Sequence, residues 1–133
     1  MADRSMPQMF ALGTGVVLLL LGVIGFFVNS DFSSGNAITA DNLIVFDING
    51  WSNLVHLMTG LLALYAASDG SVAKMYATAA GVFYVALTVW SLFDDSILGI
   101  LPVNDPSAIL YAAIGVVGLA VGLGPDRRSE PSQ

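Results

Sequence analysis

The sequence contains a single histidine, His56, and it lies inside an apolar stretch. Asn53 lies three residues before it, and Tyr111 and Thr88 fall at similar depths of two other apolar stretches. Unpaired polar groups are costly in hydrocarbon, so we predict that these four side chains form one hydrogen-bonded cluster. Intramembrane ionisable residues are candidates for function. Three interpretations remain open: a structural bond between helices, a ligand or partner site that also includes Asn49, and proton or metal chemistry.

The inventory of reactive groups argues against catalysis and against a bound metal. A metal site normally has three or four protein ligands, but the apolar stretches contain one His, no Cys and neither Asp nor Glu. One His could hold five-coordinate haem, although no second signal supports it. The sequence lacks a phosphate-binding loop and a nucleophile–base pair. We therefore expect no catalytic residue, no metal, no cofactor and no enzyme activity.

Four apolar stretches account for most of the chain. They cover residues 10–28, 51–67, 73–93 and 107–123. The 133 residues are 56% hydrophobic and 11% charged, whereas about 25% of residues are charged in a typical soluble domain. We predict an all-α, four-helix transmembrane bundle with up-down-up-down topology in one membrane domain, 10–123. Residues 1–9 precede it and a polar tail, 124–133, follows. The apolar run Leu43–Phe46 lies on the membrane surface, caps the bundle or extends the second span.

The charges predict an orientation. The four basic residues, Arg4, Lys74, Arg127 and Arg128, flank the spans on one side. The loops 29–50 and 94–106 on the other side contain no base and six aspartates: Asp31, Asp41, Asp47, Asp94, Asp95 and Asp105. The positive-inside rule then predicts a multi-pass protein of the cell membrane with both termini in the cytoplasm. The net charge of −6 excludes nucleic acid as a partner, and the bias towards Asp would suit a halophilic source.

Small residues recur at helical spacing along the predicted spans. In membranes such residues let helix backbones approach closely. We predict that these stripes face the bundle interior and that the following glycines pack helices together: Gly15, Gly22, Gly60, Gly81, Gly115, Gly118 and Gly122.

The sequence also contains an internal repeat. Aligning the second span on the fourth with an offset of 55 residues superposes Asn49 on Asn104, Ser52 on Ser107 and Gly60 on Gly115. An offset of 66 aligns the first span with the third. This pattern predicts a tandem duplication of a two-helix hairpin, with chance similarity between apolar segments as the alternative.

The segment Asn49–Gly60 resembles a family of uncharacterised prokaryotic membrane proteins, catalogued as domain of unknown function 4383. The family pattern has an Asn, then His-Asn, two apolar residues, His, three residues and Gly. Asn49, Asn53, His56 and Gly60 match it. Ser52 and Tyr111 stand where the pattern has further histidines. The resemblance covers about 8–123 and implies a four-helix membrane protein without an assigned activity, and the two departures weaken a cofactor interpretation.

These observations predict a small, non-enzymatic integral membrane protein. It would act through helix packing with itself, a partner or lipid, and its partners would be the bilayer and a homo-oligomer or a larger membrane complex. One alternative is a binding protein that holds a quinone, haem or a small apolar molecule near His56 and Tyr111. A second alternative is a subunit of a transporter or channel.

Overall fold

The computed structural model describes residues 3–125, and these form four α-helices and two short β-hairpins. Helices α1 to α4 span Met6–Val28, Gly50–Ala66, Gly70–Ser91 and Asp105–Leu123. Strands β1 (Asp41–Leu43) and β2 (Phe46–Ile48) pair antiparallel, as do β3 (Ser96–Ile97) and β4 (Leu101–Pro102). A 3-10 turn covers Gly35–Ala37. Most of the predicted polar tail, with Arg127 and Arg128, lies outside the described residues.

Polar caps start three of the helices earlier than the apolar pattern predicts. Helix α1 begins at Met6 rather than at Phe10 because Ser5 caps it, with its side chain accepting from the Gln8 amide. Helix α3 begins at Gly70 because the Asp69 side chain accepts from two backbone amides of its first turn, and α4 begins at Asp105 because Asn104 caps it. A cap side chain satisfies amides that have no partner within the helix. Apolar periodicity locates the spans but misses these first turns.

Three of the four helices are long and apolar enough to cross a membrane, which indicates a membrane protein. These are α1, α3 and α4. Helix α2 has 17 residues, which corresponds to about 25 Å at ~1.5 Å per residue. That length is at the short end of the range of roughly 17–25 residues for a spanning helix.

Helices α1 and α2 are in backbone contact through glycines. A Cβ atom on Gly60 would lie 2.7 Å from the backbone nitrogen of Leu19, and one on Gly22 would lie 2.8 Å from that of Leu57. Both distances are shorter than a carbon–nitrogen contact allows, so only glycine fits. As residue numbers rise along α1, those of its contacts fall along α2.

Helices α3 and α4 pack in the same manner. A Cβ on Gly81 would lie 2.7 Å from the Leu119 nitrogen, and one on Gly115 would lie 2.8 Å from the Val85 nitrogen. Gly118 and Gly122 are likewise buried against α3, facing Ala77 and Thr78. The predicted glycine stripes therefore face neighbouring helices.

The two hairpins cover one end of the bundle. Leu43 and Phe46 pack against the main core, and Ile48 and Ile97 are buried within the cover. The two connections also bind each other, since the Gly35 amide donates to the Gly99 carbonyl at 2.8 Å. Leu43 and Phe46 at the ends of the apolar run therefore cap the bundle, which is one of the three arrangements that the sequence allows, whereas Ile44 and Val45 between them are exposed.

Replacing Gly60 by Ala tests the backbone contact, with Gly13 as the matched control on α1. A Cβ at position 60 meets the α1 backbone, whereas one at position 13 meets nothing within 4 Å. We expect Gly60→Ala to lower the free energy of unfolding by about 2 kcal/mol, which is typical of overpacking, and Gly13→Ala to leave it nearly unchanged. Denaturant titration in detergent micelles measures both values, and equal effects would contradict the contact.

Candidate functional site

His56 and Tyr111 form a buried pair between α2 and α4. The His56 Nε2 and the Tyr111 hydroxyl oxygen are 2.8 Å apart, and the tautomer of the imidazole decides which of them donates. Each residue is only 2% exposed. The bond joins the α1–α2 pair to the α3–α4 pair. This part of the predicted cluster is confirmed.

Asn53 is not part of that cluster, although it lies only three residues before His56. Its side-chain Nδ2 donates to the Asn29 carbonyl at 2.7 Å, directly after the last turn of α1. Its Oδ1 lies against Gly25, where a side chain would collide with it. The prediction fails because Asn53 faces α1, whose terminal carbonyls lack partners within the helix. Asn53 thereby satisfies a carbonyl that hydrocarbon would leave unbonded.

Thr88 is also outside the cluster. Its hydroxyl donates to the Tyr84 carbonyl, one turn earlier in the same helix, at 2.8 Å. Threonine commonly forms this bond within a helix, because the carbonyl of residue i−4 is the nearest acceptor. The prediction from depth alone is therefore wrong for Thr88.

Two residues that the prediction omits complete the buried polar interior. The Thr59 hydroxyl and the Tyr84 hydroxyl are 2.8 Å apart, which links α2 to α3. Tyr84 is fully buried, and its ring centroid is 5.2 Å from that of Tyr111. Tyr76 adds a second link from α3 by donating to the Thr59 carbonyl. The signal that could have found them is a tyrosine within an apolar span, because a buried hydroxyl needs a partner.

Asn49 performs two structural tasks at the start of α2. Its side-chain oxygen accepts from the Ser52 amide at 3.0 Å and caps the helix. Its Nδ2 donates to the Ile100 carbonyl at 2.8 Å, in the turn between β3 and β4. Asn49 is fully buried, so both groups need these partners. The residue therefore fixes the second outer connection to α2.

The buried face of α2 thus contacts three other parts of the chain. Asn49 binds the β3–β4 turn, Asn53 binds the end of α1, and His56 binds α4. Gly60 lies against the α1 backbone. We call these four residues the α2 motif.

The chemistry open to the α2 motif is limited by its enclosure. Two side-chain atoms, Asn53 Oδ1 and His56 Nδ1, are buried without a hydrogen-bond partner among the described residues. Within residues 3–125 there is no group of three His, Cys, Asp or Glu residues that could hold a metal ion. The His56 Nε2 is occupied by Tyr111 and the ring is enclosed, so the residues do not fit an axial haem ligand. The motif can bond helices together, but it offers no open face to a substrate.

The outer aspartates contribute to loop structure. Asp31 accepts from the Ser33 hydroxyl at 2.7 Å and from the Thr39 hydroxyl at 2.9 Å. These bonds, chiefly the one from the Ser33 hydroxyl, lower the pKa of the Asp31 carboxyl below its usual value. The carboxylate is therefore charged at neutral pH, and it orders the segment that follows α1.

Comparison with protein families finds one family whose model matches most of the chain. The family described as Domain of unknown function (DUF4383) matches residues 8–124, which include nearly all of the four helices. The chain belongs to this family. No curated protein and no solved structure matches it. The family resemblance of the segment Asn49–Gly60 is thus confirmed, and in this DUF4383 protein each of the four matching residues has a structural partner.

Tyr111→Phe and Thr88→Val distinguish the buried pair from a residue that only binds its own helix. Tyr111→Phe leaves the His56 Nε2 without its partner, and we expect it to lower the free energy of unfolding by about 1 kcal/mol, within the range for hydrogen bonds in membrane proteins. Thr88→Val breaks only the bond to its own helix and should cost about 0.5 kcal/mol or less. Unfolding titrations of the two variants make the comparison, and a larger loss for Thr88→Val would be inconsistent with the pairing.

Proposed function

We propose that this DUF4383 protein is a non-enzymatic, multi-pass protein of the cell membrane. It acts through packing with itself, a partner or lipid. The observation that carries the proposal is the enclosure of the α2 motif, because Asn49, Asn53 and His56 are each at most 2% exposed. Each of the three side chains bonds to another part of the same chain, and all three are enclosed, so they are not available to a substrate.

The exposed surface supports the same proposal. Large apolar side chains point outwards from all four helices, and examples are Leu20, Leu62, Val82 and Val116. The buried positions of α2 in turn hold Gly, Ala, Ser, Asn and His. A soluble protein has the opposite distribution, whereas lipid is a suitable environment for apolar side chains. The surface that can meet partners is therefore the helix exterior and the acidic cap.

We further propose that α2 is a fourth span and that the bundle is up-down-up-down. The Gln8 side chain at the start of α1 donates to the Ala67 carbonyl at the end of α2, at 3.0 Å. The outer connections meet at the opposite end, where the Asn104 side chain donates to the Val45 carbonyl. Arg4 and Lys74 therefore belong to the same end, which the positive-inside rule assigns to the cytoplasm together with both termini.

The proposal includes a tandem duplication. The contact of Gly60 with Leu19 corresponds to that of Gly115 with Val85, since 60 plus 55 is 115 and 19 plus 66 is 85. Asn104 accepts from the Ser107 amide as Asn49 does from the Ser52 amide. These contacts use the same two offsets as the sequence repeat, which supports the duplication.

Single-cysteine labelling tests the topology, because the chain has no cysteine of its own that could react with the label. Ser34 lies in the first outer connection and Ser68 in the turn between α2 and α3, and both are exposed. In intact cells a membrane-impermeant maleimide should label Ser34→Cys. It should label Ser68→Cys only after permeabilisation. Labelling of both from one side would show that α2 does not span, and the reverse pattern would overturn the orientation.

A further inference from the structure

An apolar groove of about 420 Å³ lies between α1, α4 and the β1–β2 hairpin. Only apolar residues line it, and they include Leu20 and Ile24 of α1, Leu110 of α4 and Ile44 of the hairpin. Leu20, Ile24 and Ile44 are all exposed. The groove therefore opens to the surroundings of the bundle. We call Ile44 and Val45, the two residues that connect β1 and β2, the hairpin tip.

The position of the groove along α1 is within the hydrocarbon core of a bilayer. Helix α1 is one of the three helices that are long and apolar enough to cross a membrane, and it has 23 residues. At ~1.5 Å per residue it is about 35 Å long, roughly 5 Å more than the ~30 Å core. Ile24 is about 6 Å and Leu20 about 12 Å from Val28 at the end of α1. Because both distances exceed the excess length, both residues lie within the core when α1 spans it. Ile44 lines the groove together with them.

The backbone of the hairpin is bound by one side chain at the start of α4. The Asn104 Nδ2 donates to the Val45 carbonyl at 2.9 Å, and the Asn104 Oδ1 accepts from the Asp47 amide at 3.2 Å. Hydrocarbon penalises a backbone group that has no partner, and these two bonds reduce that cost beside the tip. The nearest charged residues on either side are Asp41 and Asp47. Contact with hydrocarbon is therefore limited to the tip itself.

The residue type at the tip is unusual for a turn in water. Ile44 has a φ of 61°, in the left-handed region that β-branched residues rarely adopt. Asn, Asp or Gly normally occupies such a position of a hairpin turn. Ile44 is also 79% exposed, so in water it would combine an unfavourable backbone conformation with exposed apolar surface. Contact with hydrocarbon removes the second of these costs.

We propose that the hairpin tip inserts into the bilayer beside α1, where acyl chains of the outer leaflet fill the apolar groove. Ile44 and Val45 contact these chains, while Leu43 and Phe46 pack against the core of the bundle. The β1–β2 hairpin thereby fixes the outer cap to the membrane. This inference rests on the proposed membrane location, and only the name of the leaflet rests on the proposed orientation.

Labelling rates of single-cysteine variants of the full-length chain test the insertion. Ser34→Cys, in the exposed outer connection, is the reference for water, and Leu20→Cys, exposed on α1, is the reference for hydrocarbon. A water-soluble maleimide is added to membranes that are open on both sides. Ile44→Cys and Val45→Cys should react at least about tenfold more slowly than Ser34→Cys, because apolar surroundings raise the pKa of a thiol and the thiolate is the reacting form. All four variants should react at similar rates in SDS.

The two references separate a failure of this inference from a failure of the membrane location. Rapid labelling of Ile44→Cys together with slow labelling of Leu20→Cys would overturn the insertion alone. Rapid labelling of both would contradict the membrane location and the insertion with it. Access from both sides makes the result independent of orientation.

Fluorescence quenching distinguishes acyl chains from a second protein copy as the cover of the tip. A bimane label on Ile44→Cys in proteoliposomes should be quenched by lipids that carry a nitroxide on the acyl chain and only weakly by iodide in the buffer. The same label on Ser34→Cys should show the reverse. Weak quenching of the Ile44→Cys label by both agents would indicate a protein cover and would overturn the proposal.

Discussion

The structure depends on satisfying polar groups in a chain whose outer surface is apolar. Lipid does not compensate a carbonyl or an amide that lacks a partner, and it gives little hydrophobic drive for helices to associate. The α2 motif contributes to both requirements, because Asn53 binds the end of α1, His56 binds Tyr111 of α4, and Gly60 admits the α1 backbone. Only Asn53 Oδ1 and His56 Nδ1 are left without a partner among the buried side-chain atoms of the described residues. A short helix with few large buried side chains can therefore connect all the other elements.

Two kinds of contact hold the bundle together. Glycine contacts bring α1 to α2 and α3 to α4, with the backbones themselves touching. Tyrosines then join the two pairs, since Tyr111 binds His56 and Tyr84 binds Thr59. The outer hairpins cover one end of this interior. Because the polar interior is enclosed, the exposed surface of the helices consists largely of apolar side chains.

The sequence predicts what depends on local pattern. Apolar length locates the helices, and small-residue spacing identifies the packed faces, including Gly60 and Gly115. Similar depth along the predicted spans correctly predicts that His56 pairs with Tyr111. Depth does not determine which neighbouring helix a side chain faces. Asn53 and Thr88 lie at suitable depths, yet one faces α1 and the other binds its own helix. The outer hairpins were not predictable, because their strands have two or three residues and their pairing depends on distant contacts.

In this fold, buried polar residues of α2 contribute more to stability than the large apolar residues on its exposed surface. The most direct test compares Asn53→Ala with Leu61→Ala, two positions of α2 that differ in burial, since Asn53 is fully buried and Leu61 is 49% exposed. Free energies of unfolding would be measured in one bilayer mimic. The account predicts that Asn53→Ala costs more, by about 1 kcal/mol or above, although it removes less apolar surface. A larger loss for Leu61→Ala would contradict it.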